Sequence, residues 1–251
     1  MGGSGLENLL QGSHHLRVGT PYGPAPLISV GYAGKEEIAF LPRHGREHNL
    51  PPHKVNYRAN IHALKLLGVE RIIATNAVGG INSEYNPGDI CVPIDILDFT
   101  KCRDSTYYDT SPVTHVDVSN PYCPELRENM IECGKKLKNR IWGDAILAAT
   151  EGPRYETPAE IRMIQKLGGD IVGMTGAPEV FLAREIELCY STICFVSNRA
   201  AGMQEKLSAK EVMQIGSEVM PKIMQLIENI VETIPKNRKC GCGKATEEAR
   251  V

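Results

Sequence analysis

Short apolar runs alternate along this chain with longer segments whose apolar residues recur every three or four positions. The runs EEIAFLP (36–42), RIIATNA (71–77), DICVPIDILDFT (89–100), DAILAAT (144–150), DIVGM (170–174) and STICFVSN (191–198) predict inner strands. Between them, HKVNYRANIHALKLLG (53–68), TPAEIRMIQKLGG (157–169) and APEVFLAREIELC (177–189) have helical spacing, with cap-like starts or glycine ends. The last helix is the clearest: Ser208 and Glu211 form a capping-box pattern, after which Val212, Ile215, Val219, Ile223, Leu226 and Ile230 line one face. Alternation of this kind predicts an α/β fold, a single domain over 1–235 with a mixed, mostly parallel sheet flanked by helices. A polar tail follows at 236–251. Residues 101–123 are rich in Asp, Ser, Thr and Pro and predict a long loop, of the length that usually serves a site or an interface.

Composition narrows the partners. At 251 residues and 42% hydrophobic content the chain can bury a large core, and a net charge of −2 gives no basic field for nucleic acid or an anionic membrane. No apolar run reaches the roughly 20 residues of a membrane span, and the N-terminus lacks the regions of a secretory signal, so a cytoplasmic protein is expected. Six of the eight cysteines are scattered without the paired spacing of a zinc site, which suits reduced thiols. Cys240 and Cys242 in CGCG supply two ligands at most, so a disulfide or an exposed tail is expected there and no metal.

In parallel sheets ligands gather beyond the carboxyl ends of strands. GGSGLE at residue 2 is a glycine-rich turn with a hydroxyl at Ser4, able to face an anion or to be an ordinary turn. LPRHGREH brings Arg43, His44, Arg46 and His48 close together after a strand, either for forked contacts to an oxyanion or as a solvated basic turn. TNAVGGIN carries Asn76 beside glycines, and GMTGAPE places Thr175 at a helix start, as a cap or as a ligand contact. Together these put oxyanion-friendly groups on one sheet edge.

In order and spacing, GGSGL, RHGREHNLPPHKVNYRANI, NAVGGI, EGPRYET, GMTGAPEV and SNRAAG resemble the trimeric purine nucleoside phosphorylase family, in its 5′-methylthioadenosine phosphorylase branch. The resemblance runs from residue 2 to about 234 and implies a nucleoside phosphorylase-like fold. The reaction it implies is phosphorolysis of a purine nucleoside to free purine and a pentose 1-phosphate, with phosphate as co-substrate and no cofactor. It implies that Ser4, Arg43, His44, Asn76, Ala77 and Thr175 surround phosphate, that Met174 lies under the ribose, and that His115 reaches the sugar's 5′ end in a neighbouring subunit of a trimer or a dimer of trimers. It also implies an apolar strand before the glycine-rich turn, where this sequence has Met1 directly before Gly2.

The base pocket departs from that branch. Members acting on 6-aminopurines carry a small hydroxyl residue and an Asp where this chain has Glu156, after Tyr155, and Asn198; members acting on 6-oxopurines carry Glu and Asn. Chemistry agrees: hypoxanthine and guanine present N1–H to a carboxylate acceptor, whereas adenine N1 is itself an acceptor. Asn198 can donate to N7 or O6 as charge builds there. Mismatched buried polar groups cost about 1–3 kcal/mol each, so the pair would discriminate on the order of a hundredfold or more. The alternative for Glu156 is a structural role, binding a nearby Arg or capping the helix at Thr157. Near the 5′ end KLSAKEV offers Leu207, Ala209 and Val212, an apolar lining suited to a methylthio group, or ordinary core. Catalysis by Asn198 and Glu156 on 5′-methylthioinosine, with inosine and guanosine as slower substrates, is therefore expected. The rivals are 5′-methylthioadenosine phosphorylase, a nucleoside hydrolase and a nucleoside-binding protein without turnover.

Overall fold

The structure is a computed structural model that describes residues 1–2 and 6–251. Its strands are β1 (Gln11–Leu16), β2 (Gly19–Thr20), β3 (Gly23–Pro24), β4 (Ile28–Ala33), β5 (Glu36–Phe40), β6 (Arg71–Gly80), β7 (Ile90–Cys91), β8 (Asp95–Phe99), β9 (Ile141–Trp142), β10 (Ile146–Thr150), β11 (Ile171–Gly173) and β12 (Cys189–Arg199). Its α-helices are α1 (Tyr57–Leu66), α2 (Pro124–Lys136), α3 (Pro158–Lys166), α4 (Glu179–Glu185) and α5 (Ala209–Thr233). The main sheet has the order β8-β10-β11-β6-β12-β7-β9, with β11/β6 and β12/β7 antiparallel and the remaining pairs parallel. An antiparallel sheet β1-β4-β5 stands beside it, and β2 and β3 form a small hairpin.

The run at 89–100, expected as one strand, is two. β8 is first and β7 sixth in the seven-strand order, yet they are separated by residues 92–94 alone, and β10 and β9, second and seventh, are likewise linked by residues 143–145. Links that short reach only about 14 Å, so the sheet has to curl until its two ends are neighbours. Pro93 lies at the turning point and removes a ladder donor there.

β12 is the spine. Ten of its eleven residues are buried, and successive side chains alternate between two cores: Ile193 and Phe195 join α5 and α2, whereas Cys194 and Val196 join Val78, Leu147 and Ile171. Helices α1 and α4 cover the other side through Ile61, Leu64, Val180 and Leu182. α3 seals β10 and β11 through Ile161 and Ile164 against Ala148 and Val172. No helix among the described residues is long and apolar enough to cross a membrane.

The expected first strand is represented by Met1 and Gly2, whose backbone joins the two sheets. Met1 N donates to Ile73 O (2.8 Å), Thr75 N donates to Met1 O (3.0 Å), Gly2 N donates to Leu41 O (3.2 Å) and Arg43 N donates to Gly2 O (3.0 Å). A Cβ at Gly2 would stand 2.3 Å from Thr75 Oγ1, so only glycine permits this approach. The tail at 236–251 is docked rather than plainly solvated: Cys242 and Ala249 are buried, and Val251 N donates to Val113 O (3.1 Å).

Candidate active site

The second half of β6 is the first wall. Asn76 is buried, donates Nδ2–H to Thr192 Oγ1 (3.1 Å) and accepts at Oδ1 from the Thr175 hydroxyl (3.0 Å). β6 is thereby locked to β12 and to the segment that follows β11. Ala77 is exposed between buried Asn76 and Val78, so the strand presents backbone to an opening at this point.

Arg43 stands beside them, 2% exposed, with Nε and Nη2 (3.0 Å) on the two carboxylate oxygens of Glu179 and Nη1 on Thr75 O (2.9 Å). Glu179 is itself fully buried and receives the Tyr190 hydroxyl (2.7 Å). A charge buried this deeply is tolerable only when paired and hydrogen-bonded, and here both ions are. Despite its burial, Glu179 is held below the usual carboxylate range by Arg43 and the Tyr190 hydroxyl. Three of the five N–H groups of the guanidinium are spent, which leaves one on each terminal nitrogen for a ligand.

His44 donates Nδ1–H to Leu50 O (2.8 Å) and stacks on His48 with ring centroids 4.5 Å apart. Burial and then the neighbouring Arg43 push its pKa down to about 4, so the ring is neutral near pH 7 with Nε2 uncommitted to that bond. Ser4, the remaining residue expected at phosphate, lies outside the described residues.

The second wall is the loop after β10. Glu156 Oε1 accepts the Thr150 hydroxyl (2.6 Å). The structural roles open to Glu156 belong to another residue: Arg154 pairs with Glu160 through both terminal nitrogens (2.7 and 2.8 Å), and Thr157 and Glu160 complete the capping box of α3. Tyr155 is 39% exposed; its hydroxyl pKa is raised by burial and then by the Glu156 and Glu211 carboxylates, which brings this loop close to the start of α5. Gly152, at φ +67°, packs so closely on Met174 that a Cβ would meet its Sδ at 2.7 Å.

Asn198, at the carboxyl end of β12, is 5% exposed. It accepts from Ser197 Oγ (2.7 Å) and donates to Arg199 O (2.8 Å), so its amide is oriented with one N–H to spare. A register shift between Val196 and Asn198 against β6 aims the strand end, a common device beside active sites.

Several expected residues stand apart within one chain. His115 is exposed in the loop at 101–123 and is tied to the tail through its N–H on Ala249 O (2.7 Å). Leu207 packs into the α3 cluster, Val212 is half-buried and Ala209 is exposed at the start of α5. Sequence reasoning missed Glu179, Tyr190, Thr192 and Thr150, which orient the predicted groups. It also missed Arg103, which donates to Thr150 O, Glu151 O, Ala177 O and the Tyr57 hydroxyl (2.7–3.1 Å) and so fastens the long loop to the site's rim. Glu151, 3.5 Å from Arg103, is the recognisable half of that pair, lying in the same loop as Glu156.

Residues 1–232 match the family model described as Phosphorylase superfamily. The chain is 50% identical to a protein of Methanopyrus kandleri named Probable S-methyl-5′-thioinosine phosphorylase, over 100% of this chain and 98% of that protein. It is 48% identical to the 6-oxopurine nucleoside phosphorylase of Pyrococcus furiosus, over 99% and 97% of the two chains. Among solved structures, a methylthioadenosine phosphorylase from an antarctic soil metagenomic library superposes with a TM-score of 0.95 at 33% identity, over 100% of this chain and 90% of that one.

Proposed function

The chain belongs to the phosphorylase superfamily, and from that premise we propose that it cleaves 6-oxopurine nucleosides by phosphorolysis, with 5′-methylthioinosine its best substrate. Asn76, Thr175, the Ala77 backbone, His44 and the two uncommitted N–H groups of Arg43 hold phosphate, and Ser4 completes the set. A phosphate oxygen bonds to C1′ as the C1′–N9 bond breaks, and the electron pair of that bond leaves on the purine. Asn198 donates its spare N–H to N7 or O6, where the charge accumulates, and Glu156 accepts N1–H. Met174 lies under the ribose, with Tyr155 at the pocket's edge. Catalysis is then positioning and electrostatic stabilisation, with no covalent intermediate on the protein.

One observation carries the choice of base. The Glu156 carboxylate is held by Thr150 alone among the described residues, while Arg154 and Thr157 are served by Glu160. A carboxylate with an unspent oxygen is an acceptor for N1–H and a poor neighbour for adenine N1. The names of the relatives at 50% and 48% identity point the same way. Leu207, Ala209 and Val212 supply the methylthio end. His115 reaches that end from a neighbouring subunit of a cytoplasmic trimer or dimer of trimers, which gives the exposed loop a use.

Purine release from 5′-methylthioinosine, 5′-methylthioadenosine, inosine and guanosine, each with and without phosphate, tests the proposal. Phosphate-dependent hypoxanthine release from 5′-methylthioinosine at the highest kcat/KM is expected. If 5′-methylthioadenosine were the best substrate, as the name of the antarctic neighbour would have it, Glu156 would revert to a structural role. Release without phosphate would make the protein a hydrolase, and binding without turnover a nucleoside-binding protein.

A further inference from the structure

The two tail cysteines do not stand alone. Cys123, the residue before α2, and Cys189, the first residue of β12, meet Cys240 and Cys242, and the four Sγ atoms all lie within 4.8 Å of one another. Cys189 and Cys240 Sγ are 3.4 Å apart. Cys123, Cys189 and Cys242 are no more than 3% exposed, and Cys240 is half-buried. Four sulfurs from three separate stretches of chain therefore share one centre.

A tetrahedral zinc–thiolate site with bonds of about 2.3 Å has sulfur–sulfur edges of about 3.8 Å, a value inside the span found here. The surroundings suit thiolates. The Arg238 guanidinium lies near Cys189 and Cys240, where it offsets negative charge. Polar contacts also hold the tail, among them Lys239 N on Glu125 and Thr246 on Glu187. Its apolar contact with the core runs through Cys240, Cys242 and Ile234 against Cys123, Leu126 and Cys189, while the remainder of KNRKCGCGKATEEAR is mostly polar.

We infer that Cys123, Cys189, Cys240 and Cys242 form a tetrathiolate site for one thiophilic divalent cation of zinc type, which clasps the C-terminal tail to α2 and β12. Binding exchanges S–H for S–metal bonds and releases up to four protons to solvent, without any redox change. The clasp also reaches the long loop. Cys123 ends the loop, and a few residues beyond Cys242 the tail pairs with its middle, through His115 N on Ala249 O and a bridge between Thr114 and Arg250. The cation therefore braces the segment that carries His115, a positioning consequence that rests on the proposed function; the site itself does not.

The full chain, purified anaerobically with reductant and zinc and then desalted, is assayed for metal by mass spectrometry and for free thiols before and after chelation. About one zinc per chain is expected, with four thiols protected until a mercurial displaces the metal. Cobalt loading should give the intense visible and thiolate charge-transfer bands of a tetrahedral tetrathiolate. In the Cys240→Ser/Cys242→Ser variant, whose changes lie outside the main sheet and whose folding is checked by circular dichroism, zinc should fall to background and the melting temperature should drop. Deletion of 236–251 should have the same effect on metal content. Metal-free protein with four reactive thiols, a chain lighter by four hydrogens in two disulfides, or zinc retained by the double variant would each overturn the site. Phosphorolysis is measured separately, so a chain that holds zinc but is inactive would refute the proposed function alone.

Discussion

In the function proposed above, Glu156 and Asn198 carry the discrimination between bases as a pair. Glu156→Ser removes the acceptor for N1–H, so kcat/KM for 5′-methylthioinosine should fall on the order of a hundredfold, the equivalent of about 1–3 kcal/mol for a buried donor left unpaired. Adding Asn198→Asp should raise turnover of 5′-methylthioadenosine above that of either single variant, because a protonated Asp suits a 6-aminopurine. Equal losses on both nucleosides would mean that Glu156 shapes the loop and does not read the base. Arg43 and Glu179 pose a different question. Glu179→Gln leaves the buried Arg43 uncompensated, and breaking such a pair costs about 3–5 kcal/mol. Urea unfolding should show a loss of that size, accompanied by a higher KM for phosphate as the guanidinium is released from its fork. At this scale the placement of Arg43 and Thr175 was legible because they follow apolar runs, and that of Asn76 because it lies near the end of one. Glu179 was not, since its partner lies 136 residues away and in sequence it reads as an ordinary first-turn acid of α4.

Elements with their own local chemistry were legible to within a few residues. α5 begins after Ser208, whose hydroxyl accepts Glu211 N (3.1 Å), although Glu211 turns its carboxylate to Gln204 and leaves the expected box half made. Ser208→Ala should cost about 1 kcal/mol and Ile223→Ala, at a fully buried position, about 2–5 kcal/mol, both read from denaturant midpoints. A Ser208→Ala variant as stable as the parent would mean that the start of α5 is fixed by the loop before it and not by its cap. The elements that escaped notice lack such signals. β1 is exposed along most of its length and has no apolar face, β9 has two residues, and α2 starts from Cys123 without a side-chain cap. The division of 89–100 was hidden because both halves are apolar; only the closure of the sheet separates them. The cysteine cluster was hidden for a similar reason. C-x-C shows two ligands, and the other two come from positions that only the packing of β12 against α2 brings into reach.

Across the whole molecule, the proposed phosphate site ties ligand binding to stability at His44. Its pKa falls from 6.5 in the unfolded chain to about 4 in the fold, so above pH 6.5 neither state binds this proton. As the pH falls from 6.5 toward 4 the unfolded chain takes it up and the folded chain does not, and stability drops across that window before levelling off below it. Glu179 adds a second loss at lower pH: its folded pKa is depressed, so its contribution is present above the unfolded carboxylate pKa and disappears as acid finally protonates it. An anion bound beside His44 favours the charged ring and raises its pKa, so phosphate should bind with proton uptake between pH 4 and 6.5 and should stabilise the fold more at pH 5.5 than at pH 8. Melting temperatures across that range, with and without phosphate, check this. His44→Gln should flatten the decline between pH 6.5 and 4 and abolish the extra protection at pH 5.5, leaving the loss at lower pH that belongs to Glu179. A decline unchanged in that variant would move the titrating group away from His44, and phosphate protection independent of pH would place the anion out of reach of its ring.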